Sequence, residues 1–299
     1  MNNSKNVFSI KDLENLSGIK AHTIRIWEKR YAVLEPMRTD NNVRYYDLPN
    51  VQKLLNITLL HNHGYKISQI SKYPPEKIPQ LVQEIITNKN FKGHTINAFK
   101  IAMLNFDQNL FVATYEELLG EKCFREIFTA VFIPLLNEIG MLWQAGTITP
   151  AHEHFITNLI RQKLMVNIDL LQAQKPTVTS NIFVFYLPKN EIHELGLLYL
   201  NYEALNENYQ TIYLGCNVSI EDLKSLKEFY DNIIFTTYMT TEPSKEEVNT
   251  YIGLFASEIL NDTNSQLWVM GRMTNYLKHI LPSDKIAVLE SIPDFLNKL

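Results

Sequence analysis

Cysteine is scarce: two in 299 residues, Cys123 and Cys216, far apart and in no Cys-x-x-Cys spacing. That excludes a disulfide framework or a zinc ribbon, and both thiols are expected as small buried hydrophobes. Long apolar runs are missing as well. No stretch reaches the ~18 apolar residues a membrane span needs, and the polar start has no signal-peptide core. The expected compartment is the cytoplasm, with no membrane partner. The P-loop, the Gly-x-Ser-x-Gly elbow and the His-Glu-x-x-His zinc site are all absent, and Gly215-Cys216-Asn217 is no dinucleotide fingerprint. A binding protein is expected rather than an enzyme.

What is present is a chain of ordinary globular composition, 45% apolar and 20% charged, long enough for two or three domains. Its net charge of −4 is unevenly spread. Residues 1–80 hold 12 Lys/Arg against 7 Asp/Glu, whereas the remainder holds 16 against 25. A basic head on an acidic body suits a head that meets a polyanion. Pattern divides the chain into residues 1–78, 79–175 and 176–299. Tyr73-Pro74-Pro75 interrupts helix after the first region, and the polar linker 174–180 closes the second.

In the head, Ser9 is placed to cap a helix that ends at Gly18. A second helix then runs through Ala21-His22-Thr23-Ile24-Arg25-Ile26-Trp27-Glu28-Lys29-Arg30-Tyr31. Leu13, Leu16, Ile24 and Trp27 can pack inward, leaving Thr23, Arg25, Lys29 and Arg30 to face outward as donors for phosphates and base edges. This run, followed by Asn42-Val43-Arg44-Tyr45-Tyr46-Asp47 and by helical patterns at 51–61 and 64–70, resembles the MerR family over about 70 residues. The resemblance implies a winged helix-turn-helix that binds pseudo-palindromic double-stranded DNA as a homo-oligomer, dimer or tetramer. Thr23, Arg25, Arg30, Tyr31, Arg44, Tyr45 and Lys66 would touch the DNA.

Residues 96–172 read as bundle helices rather than the single long dimerisation helix usual behind a MerR-like head. One helix is expected over about 121–143, with Phe124, Ile127, Phe128, Val131, Leu135 and Ile139 at helical spacing. Another begins at Pro150, which the first helical turn tolerates. Trp143, nine residues, then Glu153-His154 is similar to a motif of the CarH/LitR-type light-responsive regulators. That likeness implies that Trp143, Glu153 and His154 line the upper-ligand pocket of adenosylcobalamin. His152 and His154 are two apart and share no helix face, which argues against a metal site.

From residue 181, β-rich runs at 182–187, 211–214, 233–238, 267–270 and 286–289 alternate with helical patterns at 191–207, 219–230, 244–260 and 272–280. Such alternation predicts a flavodoxin-like, doubly wound parallel sheet. Just past its first strand, Glu191-Ile192-His193-Glu194-Leu195-Gly196 resembles the Asp/Glu-x-His-x-x-Gly motif of cobalamin-binding domains. His193 would be the lower axial ligand of cobalt, Glu191 its orienting partner, and Gly196 the point where backbone approaches the corrin. Where that family has Ser-x-Leu or Ser-x-Thr after the third strand, this chain has Thr236-Thr237-Tyr238. Where it has Gly-Gly after the fourth, this chain has Gly271-Arg272. Gln144 follows Trp143 directly, at a position where light-responsive members can carry a His.

The combined expectation is mixed: a winged helix-turn-helix head, a helical bundle and a flavodoxin-like α/β unit. It reads as a transcription regulator, a repressor, whose oligomerisation and operator binding are set by cobalamin and open to control by light. Two alternatives stand beside it. One is a MerR-like regulator that uses another ligand or a protein partner. The other is a corrinoid methyltransferase component.

Overall fold

The computed structural model describes residues 7–87, 92–261, 263–277 and 284–299. It divides into two compact units, residues 1–160 and 161–299, with the division falling inside the helix Pro150–Gln172.

The first unit opens with the head. Ser9 caps the helix Ile10–Ser17 in a capping box with Asp12, and Gly18 closes it at φ +73°. The positive φ is why glycine suits this turn. The helix Ala21–Tyr31 follows. Leu13, Leu16 and Ile24 are almost fully buried, with Trp27 close behind. Three short strands, β1 (Phe8–Ser9), β2 (Met37–Arg38) and β3 (Arg44–Tyr46), form an antiparallel sheet in the order β1-β3-β2, and the β2–β3 hairpin is the wing. Asp47 caps the helix Leu48–Asn62, whose Val51, Leu54, Leu55 and Ile57 complete the head's core.

The bundle behind it uses the helices Lys92–Asn105, Gln108–Leu119 and an unbroken helical run Phe124–Gln144. That run passes through one π turn, Phe128–Phe132, where the Ile133 N–H reaches the Phe128 carbonyl. Pro134, which has no N–H to give, comes one residue further on, after Ile133; a local π adjustment is one way a helix absorbs such a residue. The run is 21 residues long and contains an 18-residue window of mean hydropathy 1.4, enough by length and composition to cross a membrane. Arg125, Glu126, Asn137 and Glu138 interrupt it, so the expectation that no unbroken run of ~18 apolar residues occurs stands. Its Phe132 packs instead against Phe99, Phe111 and Tyr115 of the neighbouring helices.

The second unit holds a parallel sheet of β4 (Val178–Tyr186), β5 (Tyr209–Gly215), β6 (Ile233–Tyr238), β7 (Gln266–Met270) and β8 (Ile286–Val288). The order is β5-β4-β6-β7-β8, the flavodoxin-like sequence. Strands buried on both faces explain the near-continuous apolar runs. On one face Phe183, Phe185, Ile234 and Trp268 pack against Leu197 and Leu200 of the helix Leu195–Asn206 and Phe295 of the helix Ile292–Lys298. On the other, Val184, Phe235 and Val269 pack against Leu223, Ile252 and Phe255. All five expected strands are present, each within a few residues of its expected limits. Of the helical pattern at 272–280, residues 272–276 form a 3-10 turn and 278–280 lie outside the described residues. The expectation of two buried thiols fails: Cys123 is exposed and Cys216 half-buried.

Candidate functional site

In the head, Arg25 and Arg30 are exposed and Thr23 and Tyr31 half-buried on the helix Ala21–Tyr31; Thr23 Oγ1 lies 3.3 Å from His22 Nε2. Arg44 and Tyr45 lie in β3, and Lys66 is exposed just before the helix Ile67–Ile70. The link between recognition helix and wing is Glu28. Its Oε2 stands 3.2 Å from Arg44 Nε, and its Oε1 accepts a hydrogen bond from the Tyr46 hydroxyl. Burial, and then that bond to a carboxylate, push the Tyr46 phenol well above its ordinary range, so it stays a donor. Sequence reasoning missed Glu28, because a lone acid on a basic helix face gives no signal of its partners. It also missed Arg38, which β-pairing sets opposite Arg44 in the wing.

In the bundle, Trp143 is 53% exposed. Glu153 and His154 sit in the first turn of Pro150–Gln172 and pair with each other, Nδ1 to Oε2 at 2.8 Å. His152, by contrast, is buried. It stacks on Phe106 and its Nδ1 accepts from the Thr149 N–H, so the two histidines occupy different surroundings. Burial depresses the His152 pKa, which a backbone bond at Leu104 only partly offsets.

The second unit has a more strongly organised site. Its strand order reverses between β4 and β6, and ligands of doubly wound sheets bind outside the carboxyl ends of the strands at such a switch point. The loop after β4 carries Glu191, whose carboxylate is fully buried. It is satisfied by converging donors. Oε1 takes the N–H groups of Ile192 at 2.9 Å and His193 at 3.0 Å. Oε2 takes those of Thr240, Thr241 and Glu242 at 2.7–3.0 Å, from the loop after β6. His193 Nδ1 lies 2.6 Å from Oε1. Burial alone would raise the Glu191 pKa. The bonds from His193 and from the backbone of Glu242, Thr241 and His193 outweigh it and hold the carboxyl well below the usual range. An ionised acceptor at Nδ1 fixes the imidazole proton there and leaves the lone pair on Nε2, with the ring half exposed. This is the donor set of a carboxylate-oriented metal-ligating histidine, and it fits a cobalt-centred ligand.

The other residues of the motif lie around this loop. Gly271, at φ +98°, has no room for a side chain, since a Cβ would come within 2.4 Å of the Met239 carbonyl oxygen. Met239 adjoins the three N–H groups that hold Glu191. Arg272 is exposed rather than driven into the sheet. Gly196 has the Tyr238 ring against it, 3.0 Å from where a Cβ would be. Thr236 and Thr237 are the fourth and fifth residues of β6. Both are fully buried, with no hydrogen-bond partner for either hydroxyl among the described residues. Glu194, on the same loop, accepts from Arg161 Nε at 2.7 Å and the Tyr213 hydroxyl at 3.2 Å, tying down the start of the following helix. Among the described residues, no group of three or more His, Cys, Asp or Glu could hold a bare metal ion.

Comparison with known proteins agrees with this layout. Residues 8–77 match the MerR HTH family of regulatory proteins, and residues 95–166 match the B12 binding domain. The chain is homologous to two repressors of Myxococcus xanthus. It is 28% identical over 227 residues to the HTH-type transcriptional repressor CarH, a match covering 74% of each chain. To the HTH-type transcriptional repressor CarA it is 25% identical over 215 residues, covering 70% of this chain and 68% of that one. The Methanosarcina barkeri monomethylamine corrinoid protein shares the fold. Its TM-score is 0.57 at 12% identity, over 70% of this chain and 98% of that one.

Proposed function

We propose that the chain is a DNA-binding transcriptional repressor whose self-association and operator binding are set by cobalamin, with adenosylcobalamin as the form it takes. The observation that carries this reading is the Glu191–His193 pair at the switch point of the parallel sheet. When bound, cobalamin would supply a cobalt centre able to take an imidazole nitrogen and a light-sensitive bond to carbon. His193 would hold it through Nε2, with Glu191 fixing the ring and its tautomer. Gly196, Thr236 and Gly271 are assigned to the same lower side. The exposed Trp143 and the Glu153–His154 pair are assigned to its upper ligand: an indole suits an adenosyl group, and a carboxylate its ribose hydroxyls. Because Gln144 follows Trp143, a second histidine ligand after illumination is not expected there.

On the DNA side, Thr23, Arg25, Arg30, Tyr31, Arg44, Tyr45 and Lys66 would contact the operator, and two or more copies would meet its half-sites. The role assigned is binding, without turnover, in the cytoplasm. The test is corrinoid uptake. Protein mixed with adenosylcobalamin and gel-filtered should elute with corrinoid absorbance that changes on illumination, and His193→Ala should lose most of it. Elution free of corrinoid would overturn the cobalamin reading and leave a regulator answering to another ligand or a protein partner.

A further inference from the structure

A cavity of about 510 Å³ lies within the first unit, where the head's helix-turn-helix meets the bundle. It is walled by Asn15, Thr58, Asn97, Lys100, Glu138 and Met141, among others. This size is typical of small-molecule sites. Two features of its wall call for a ligand independently of each other. Lys100 is 6% exposed, yet among the described residues its ammonium is held by the partly exposed carboxylate of Glu138 and, at 3.4 Å, by the Leu16 carbonyl. A buried ammonium has three protons to place and gains from a close, well-held anion. Thr58 is 3% exposed, and its hydroxyl has no hydrogen-bond partner among the described residues. Such a group costs stability until a partner reaches it.

We propose that this cavity is an effector site for a small molecule bearing a carboxylate. The ligand's carboxylate would take Lys100 in place of Glu138, which swings toward solvent. The Asn97 amide can donate to its remaining lone pairs, as can the Thr58 hydroxyl, which has no accessible surface of its own, once its χ1 turns toward the cavity. Its apolar remainder would lie against Ile96, Met141 and Leu142. Leu16, Ser17 and Gly18, which also line the cavity, form the end of the first helix and the turn before the recognition helix. An occupant therefore touches the segment that aims the DNA-reading helix. The site uses none of the residues assigned to cobalamin and stands or falls apart from that reading.

The test is a ligand-observed NMR titration of the full chain with benzoate, using benzamide as a neutral analogue of the same shape. Benzoate should bind at least about tenfold more tightly than benzamide, because only benzoate carries the charge that Lys100 selects. Glu138→Gln should tighten benzoate several-fold by removing its competitor, whereas Lys100→Met should abolish the preference and Thr58→Val should weaken binding. Opposite signs at Glu138 and Lys100 would not arise from loss of fold. Equal affinity for the two probes, or no benzoate binding by either the wild type or Glu138→Gln, would overturn the proposal.

Discussion

At the scale of single residues, Glu191 is the group on which the loop after β4 depends. It is a buried anion whose oxygens accept five backbone N–H groups and one imidazole nitrogen. Glu191→Gln keeps the shape but puts an amide NH₂ where only acceptors fit. It should cost about 2–4 kcal/mol in chemical denaturation and weaken the hold on His193. The pH dependence has a definite sign. The folded pKa lies below the unfolded one, so the contribution is complete above about pH 4.3, the unfolded value, and is lost as pH falls below it. The variant should show a flatter stability profile across that acid range. The pairing of Glu191 with His193 was legible in the sequence, because their spacing and their place after a strand are both written there. The donors from Thr240 to Glu242 were not. Backbone N–H groups carry no residue signature, and only the strand order brings residues 50 positions apart onto one carboxylate.

At the scale of elements, the head works as a recognition helix and a wing fastened by Glu28. Arg25→Ala should cost about 1–3 kcal/mol of operator affinity by removing a base or phosphate contact. Glu28→Gln should also weaken operator binding, measured by fluorescence anisotropy, although Glu28 itself offers DNA only repulsion. It frees Arg44 and Tyr46 and lets the wing drift; unchanged or improved affinity would contradict this account. Among the loops of the sheet, Gly271→Ala should lower the melting temperature markedly. The new methyl meets the Met239 carbonyl in a φ range that alanine avoids. The element boundaries were mostly readable, because helix caps such as Ser9 and Gly18 and the doubly buried strands are chemical signals. The π turn before Pro134 was not readable, since periodicity is blind to a single extra residue in a turn.

For the whole molecule, the charge asymmetry seen in the sequence acquires a physical meaning. The basic residues gather in a head that matches MerR regulators, and the acidic remainder folds into a bundle that matches a B12-binding domain and a sheet with a corrinoid-protein fold. A regulator of this kind requires that ligand change DNA affinity, since a ligand with equal preference for both states shifts nothing. The most direct measurement is therefore the affinity of the full chain for an operator selected from genomic fragments. It is taken at fixed salt, in the dark, with and without adenosylcobalamin, for the wild type and for His193→Ala. The account predicts that adenosylcobalamin changes wild-type affinity at least about tenfold, or ~1.4 kcal/mol of coupling, and leaves His193→Ala unmoved. Equal wild-type affinity with and without adenosylcobalamin would contradict it.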